Sequence, residues 1–262
     1  MAESAPKASS EPSAAAPVVL ITGGSRGIGA ATAVAAARAG FDIMLTYRRD
    51  AVAAQAVCAE IKALGRQAVA VAGDVGREAD VMQIYAKLDR RFGRLDALVN
   101  NAGIVAPAMP FVDYSTDRLE QLLTVNVFGA MLVAREAARR MVRSRGGQGG
   151  AIVNVSSVAA RLGAPDEYID YAASKGAIDV LTIGLAKELG PEGVRVNAVR
   201  PGLIDTEIHA SGGRPDRVAK MGPALPMGRG GLASEVADSI VYLLTPQASY
   251  VSGALVDVAG GR

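Results

Sequence analysis

The chain has 262 residues, half of them hydrophobic but only 4% aromatic and none of them Trp, so its core must be built from Ala, Val, Ile and Leu. That length suits one large α/β domain or two small ones, with enough chain to bury a sizeable core. A net charge of +2 from 28 basic and 26 acidic residues argues against a nucleic-acid partner, a single cysteine (Cys58) excludes an intrachain disulfide, and a single histidine (His209) leaves no pair for zinc.

Residues 1–17, almost all Ala, Ser and Pro, read as a disordered tail and lack the charged start and apolar stretch of a signal peptide. No apolar run approaches the ~18–20 residues of a membrane span, so a cytoplasmic protein with no membrane contact is the default expectation. "VVLIT" (18–22) is a short β-branched run that reads as a buried strand. "GIGAATAVAAARAG" (27–40) reads as a helix ending at Gly40, followed by a strand at 42–47 and a helix at 50–65 with Asp50 as N-cap. Within that second helix Cys58 reads as an inert buried residue. A strand at 67–73, a helix at 78–93 and a strand at 95–103 continue the rhythm. One long helix is expected over about 116–145, then a strand at 151–157, a helix at about 168–190 and a strand at 194–202. Residues 203–230, rich in Gly and Pro, read as a loop; a helix at about 233–244 and a strand at 254–260 close the chain. Strand–helix alternation of this kind predicts a parallel sheet of seven strands with helices on both faces, a single doubly wound α/β domain over 18–262.

"TGGSRGIG" (22–29) joins the first strand to the first helix. Gly23, Gly27 and Gly29 give a variant of the dinucleotide fingerprint: glycine lets the chain turn and lets backbone approach a pyrophosphate at the helix N-terminus. Ser25, Arg26 and Ile28 lie in the same turn. An NAD enzyme carries an acid at the end of the second strand for the ribose 2′-hydroxyl. This chain has Tyr47, Arg48 and Arg49 there. Guanidinium groups bond planar-on to phosphate oxygens, so NADP(H) is expected over NAD, with Arg26 as a further cation.

"NNAG" (100–103) and "YAASK" (171–175), following the glycine loop in this order, resemble the short-chain dehydrogenase/reductase family over about residues 18–262. The resemblance implies a Rossmann-type fold and an oxidoreductase that interconverts a carbonyl and a secondary alcohol. It implies adenine contacts at Asp74 and Val75, and cofactor contacts at Asn101, Ala102 and Gly103. Pro201, Gly202, Ile204 and Thr206 would run along the nicotinamide. Asn126, Ser157, Tyr171 and Lys175 match the family's catalytic set, with Asn126 expected to hold a water that links Lys175 to solvent. Ser156 is a second candidate for the serine. Tyr168 stands three residues before Tyr171 but has no lysine four places on, and reads as a pocket-lining or packing residue. The Ser157–Tyr171 separation of 14 is one more than the family's common spacing and implies an insertion within 158–170. The family also implies a homo-oligomer, a tetramer or dimer.

Tyr171 and Lys175 lie one helical turn apart. A free phenol titrates near ~10, and a neighbouring cation favours the phenolate. Lys175 is therefore expected to lower the Tyr171 pKa so that the phenol exchanges a proton near neutral pH, with Ser157 donating to the substrate oxygen. Residues 203–230 are expected to form a lid over the substrate, with His209 as a loop residue without chemistry. Arg135, Arg139, Arg140, Arg143 and Arg145 suit either an acidic carrier protein or the negative end of a helix dipole. Glu192 departs from the basic residue of carrier-protein reductases. A small ketone or a sugar-like molecule is the expected substrate, beside 3-oxoacyl-carrier-protein reduction and a non-catalytic NADP-binding redox sensor.

Overall fold

The computed structural model describes residues 15–262; positions 1–14 of the expected tail lie outside them. The elements follow as β1 (Val18–Ile21), α1 (Gly27–Arg38), β2 (Asp42–Tyr47), α2 (Ala51–Ala63), β3 (Ala68–Ala72), α3 (Glu78–Phe92), β4 (Ala97–Asn100), α4 (Thr116–Leu123), α5 (Ala130–Met141), β5 (Gly150–Val155), α6 (Ala159–Leu162), α7 (Ile169–Leu189), β6 (Val194–Pro201), β7 (Ile204–Asp205), α8 (Ile208–Ser211), α9 (Arg217–Met221), β8 (Gly231–Leu232), α10 (Ala233–Leu244) and β9 (Leu255–Val258). Asp50 caps α2 as expected: its carboxylate accepts from the Ala53 N–H at 2.9 Å.

Seven strands form one parallel sheet in the order β3-β2-β1-β4-β5-β6-β9. Alternation along each strand divides the core between the two faces. Val19, Ile21, Ile43, Leu45, Val99 and Val153 point to the face covered by α1, α2 and α10. Leu20, Met44, Leu98 and Ile152 point to the opposite face, covered by α3, α5 and α7. Ala33 and Ala36 of α1 are fully buried, so this face of the helix lies close on the sheet. β1 pairs with β2 on one side and β4 on the other. The chain leaves these strands in opposite directions, and the crevice beyond their carboxyl ends is where a doubly wound sheet binds its ligand.

Two expectations need correction. The single helix over 116–145 is broken: α4 gives way to a π-helical stretch, Thr124–Gly129, before α5 begins, and α5 ends at Met141. The wider turn carries Asn126, whose amide is tied to the Ile104 backbone, and π turns of this kind favour functional positions. The segment 203–230 is not a plain loop. It holds β7, α8 and α9, and β7 pairs in parallel with β8, which starts just past the end of the segment. Its glycines and prolines fall between these pieces, with Gly212 and Gly213 separating α8 from α9.

Candidate active site

Two clefts meet at the carboxyl end of the sheet. The first runs along the glycine loop and is lined by Gly23, Ser25, Arg26, Gly27, Ile28, Gly29, Tyr47, Arg48, Arg49, Asp74, Val75, Asn101, Ala102 and Gly103. The second, more apolar, is lined by Ser156, Ser157, Tyr171, Lys175, Pro201, Gly202 and Ile204. Thr206, Ile28 and Gly103 border both. Every residue expected at the site thus faces one cleft or the other except Asn126, which lies behind them, buried.

The glycine loop is held from below. Thr22 Oγ1 accepts from the N–H groups of Asn101 and Ala102, both at 2.9 Å. The Asn101 amide returns the tie, donating to the carbonyls of Thr22 at 2.8 Å and Gly23 at 3.1 Å. Gly27 has φ +53, a left-handed conformation that a side chain would strain. A Cβ on Gly29 would stand 2.3 Å from the Gly23 carbonyl oxygen. The loop and the start of α1 therefore present bare backbone to the cleft, a cradle shaped for the phosphates of a dinucleotide.

At the far end of this cleft, Arg48 pairs with Asp74 at 3.0 Å. Asp74 also accepts from the Gly76 N–H at 3.0 Å. Arg26 and Arg49 are exposed and form no ion pair among the described residues. No carboxylate closes β2: Asp50, the first acid after it, is engaged as the α2 cap.

In the second cleft the two serines are distinguished by their partners. Ser156 donates to the Lys175 carbonyl at 3.1 Å and so helps fasten α7 to the sheet. Ser157 accepts from the Ala159 N–H at 3.1 Å, donates to the Pro201 carbonyl at 3.5 Å and lies near enough to the Tyr171 phenol to favour its ionised form. The ammonium of Lys175 donates to the Val155 carbonyl at 2.7 Å and lies 5.5 Å from the centre of the Tyr171 ring. Asn126 approaches from the π turn, accepting from Ile104 N–H at 2.8 Å and donating to the Ile104 carbonyl at 2.9 Å and Ser174 Oγ at 3.2 Å. Its carbonyl oxygen is thereby committed to a backbone group; the water relay expected of it stays an inference from the family resemblance.

The expected effect of Lys175 on Tyr171 is reversed by burial. Desolvation pushes the phenol up to about 12, and the interaction with Ser157 opposes it only in part. Desolvation likewise pushes the ammonium of Lys175 down to about 8, with Asp179 working in the opposite direction. In the field of the protein's own groups Tyr171 thus keeps its proton at neutral pH.

The sequence reading missed the wall facing this pair. Glu167 accepts from both terminal nitrogens of Arg217, at 2.8 and 2.6 Å, and from Arg214. Arg217 is buried and lies 5.4 Å over the Tyr168 ring. The Arg217 guanidinium holds the Glu167 carboxyl below its ordinary range. Tyr168 lines the pocket, as expected. So does His209, whose Nε2 donates to the Ile204 carbonyl at 2.7 Å and whose pKa burial pushes down; it borders the site rather than a featureless loop. Of the five arginines at 135–145, Arg135, Arg139 and Arg140 are engaged with Glu136, Glu78 and Asp89. Glu192 accepts from the Ser144 N–H at 2.8 Å.

With fold and site described, the comparisons identify the class. Residues 23–262 match the family model described as Enoyl-(Acyl carrier protein) reductase. The chain belongs to the short-chain dehydrogenase/reductase family. It is 49% identical over 245 residues to the uncharacterized oxidoreductase YgfF of Escherichia coli, covering 94% of this chain and 99% of the relative. It is 40% identical to an L-rhamnose 1-dehydrogenase (NAD(P)(+)) of a Sphingomonas species, covering 93% and 94% of the two chains. Among solved structures it resembles a short-chain dehydrogenase from Burkholderia cenocepacia in complex with NADP, with a TM-score of 0.85, 37% identity and coverage of 94% and 97%. The protein is therefore an oxidoreductase of this family. Among the described residues no helix is long and apolar enough to cross a membrane.

Proposed function

We propose that this protein is an NADP(H)-dependent oxidoreductase that interconverts a carbonyl and a secondary alcohol, with Tyr171 as the proton donor and a small polar ketone or a sugar as substrate. The observation that carries the reading is the convergence of Ser157, Tyr171 and Lys175 in the second cleft, which shares its border at Ile28, Gly103 and Thr206 with the glycine-loop cleft. A nicotinamide held along the glycine-loop cleft would supply the hydride and, when oxidised, a positive charge. Ser157 holds the substrate oxygen next to Tyr171 and stabilises charge growing on it. Tyr171 delivers its proton to that oxygen, and Lys175 stabilises the phenolate left behind. Asn126 links the 101–104 turn to α7 through its two bonds to Ile104 and one to Ser174. Residues 203–230 act as a lid, latched to the approach to α7 by Glu167 with Arg214 and Arg217.

The mixed lining of the second cleft, with Glu167, His209 and Arg217 among aliphatic side chains, supports a substrate with several polar groups. The relative named as an L-rhamnose dehydrogenase points the same way. The carrier-protein reading loses some support because three of the five arginines, Arg135, Arg139 and Arg140, are paired with carboxylates of this chain. A non-catalytic sensor would need none of the buried Ser157–Tyr171–Lys175 set. The exposed apolar residues Phe128 and Met131 beside α5, and Val180 and Ile183 on α7, support a homo-oligomer.

NADPH oxidation followed by fluorescence across a panel of ketones, aldoses and ketoses tests the reading; a panel without turnover contradicts it. Two variants test the cofactor cleft. Gly29→Ala forces a methyl against the Gly23 carbonyl and is expected to weaken NADPH binding at least about tenfold, read from cofactor fluorescence on folded protein. Unchanged affinity would contradict the phosphate cradle. Arg48→Ala is expected to raise the KM for NADPH by about tenfold, the worth of one charge-assisted bond, and to change that for NADH little. Equal shifts for both would remove the 2′-phosphate assignment.

A further inference from the structure

Lys175 is followed one turn later on α7 by Asp179, buried at 6% exposure. Its Oδ2 accepts from Arg200 on β6 twice, at 3.0 and 2.8 Å. Its Oδ1 is buried without a hydrogen-bond partner, the one such side-chain atom among the described residues. A buried carboxylate oxygen left unbonded is costly, so its retention calls for a reason. Helical side chains lean toward the N-terminus. Asp179 therefore leans over the turn that bears Lys175, as Lys175 leans over that of Tyr171. Phenol, ammonium and carboxylate stand at i, i+4 and i+8, with Lys175 and Asp179 buried and Tyr171 half-buried at the cleft.

We propose that Asp179 is a positioning residue for proton transfer, its unshared carboxylate oxygen keeping Lys175 in the ammonium form beside Tyr171. The proposal rests on the Tyr171–Lys175 reading above. Burial works against that ammonium, and Asp179 is the charged group that opposes the effect. The other elements around Lys175 offer neutral groups: the Val155 carbonyl from β5 and Asn126 from the π turn. Arg200 does not cancel Asp179 outright, because it also faces Asp257 of β9 at 3.7 Å. Asp257 is in turn paired with Arg161 of α6 at 2.9 Å.

The test uses the whole chain, whose six lysines make it tractable. Lysine labelled with carbon-13 at Cε is titrated by NMR, the Lys175 signal being the one lost in Lys175→Met. In the wild type the midpoint is expected near 8. In Asp179→Asn it is expected about one pH unit lower, and the alkaline limb of kcat/KM for carbonyl reduction moves down with it. Arg200→Gln disturbs the same ion pair with the opposite sign, and its midpoint is expected at or above that of the wild type. It decides alone if Asp179→Asn does not fold. Coincident midpoints in wild type and Asp179→Asn, or a downward shift in Arg200→Gln, overturn the proposal. A Lys175→Met protein with the wild-type rate overturns the proton-transfer reading and takes this inference with it. An inactive Lys175→Met beside an unshifted Asp179→Asn overturns the inference alone.

Discussion

Tyr171→Phe is expected to lower kcat at least about a hundredfold, within the ~10²–10⁴ that a positioned acid contributes, while NADPH affinity stays within about twofold. The substitution deletes one oxygen and leaves the ring over which Lys175 lies. It also leaves the glycine cradle untouched, since that is held by Thr22 and Asn101. The loss should fall on kcat and kcat/KM alike, the mark of an interaction made only in the transition state. The pH dependence follows from the Tyr171 phenol at about 12 and the Lys175 ammonium at about 8. Through neutral pH both carry their protons, so reduction should be flat there. It should fall as pH rises through the Lys175 value, where the phenolate formed by proton donation loses its cation. Turnover of the variant at the wild-type rate would remove Tyr171 from the chemistry.

Ser157→Ala is expected to cost about a hundredfold in kcat, the lower end of what loss of one donor to a developing oxyanion costs. Ser157 stands just beyond β5, beside Tyr171 in the second cleft and anchored by the Ala159 N–H. Ser156→Ala is the internal control. That hydroxyl is spent on the Lys175 carbonyl, so its removal should lower Tm and leave kcat within about threefold, a buried hydrogen bond being worth about 1 kcal/mol. Steady-state rates and thermal unfolding of the two variants separate the roles. A reversed pattern would transfer the substrate contact to Ser156.

The strands were legible because a parallel sheet covered on both faces needs continuous apolar runs, and "VVLI" and "AIVNV" are buried end to end. The glycine loop, the 100–103 turn and the Tyr–Lys pair were legible because their chemistry demands particular residues at short spacing. Three features were not. The π turn at Asn126 leaves no mark in apolar periodicity, since the residues on either side still read as helix. The tie between Glu167 and Arg217 joins residues 50 apart in the chain, and nothing in either neighbourhood announces the other. The sign of the Tyr171 shift depends on burial, which a sequence motif does not report: desolvation outweighs the interaction with Ser157 that favours the phenolate. Asp179 was within reach, since it repeats the four-residue step from Tyr171 to Lys175.

The most direct measurement follows the hydride itself. NADPH carrying deuterium on the transferring face of nicotinamide C4 is supplied with the carbonyl compound that turns over fastest in the panel, and the product alcohol is read by mass spectrometry and NMR. The account predicts one deuterium on the new carbinol carbon, and labelled alcohol formed at least about a hundredfold more slowly by Tyr171→Phe. Deuterium absent from that carbon, or labelled alcohol formed equally fast by the variant, would contradict it.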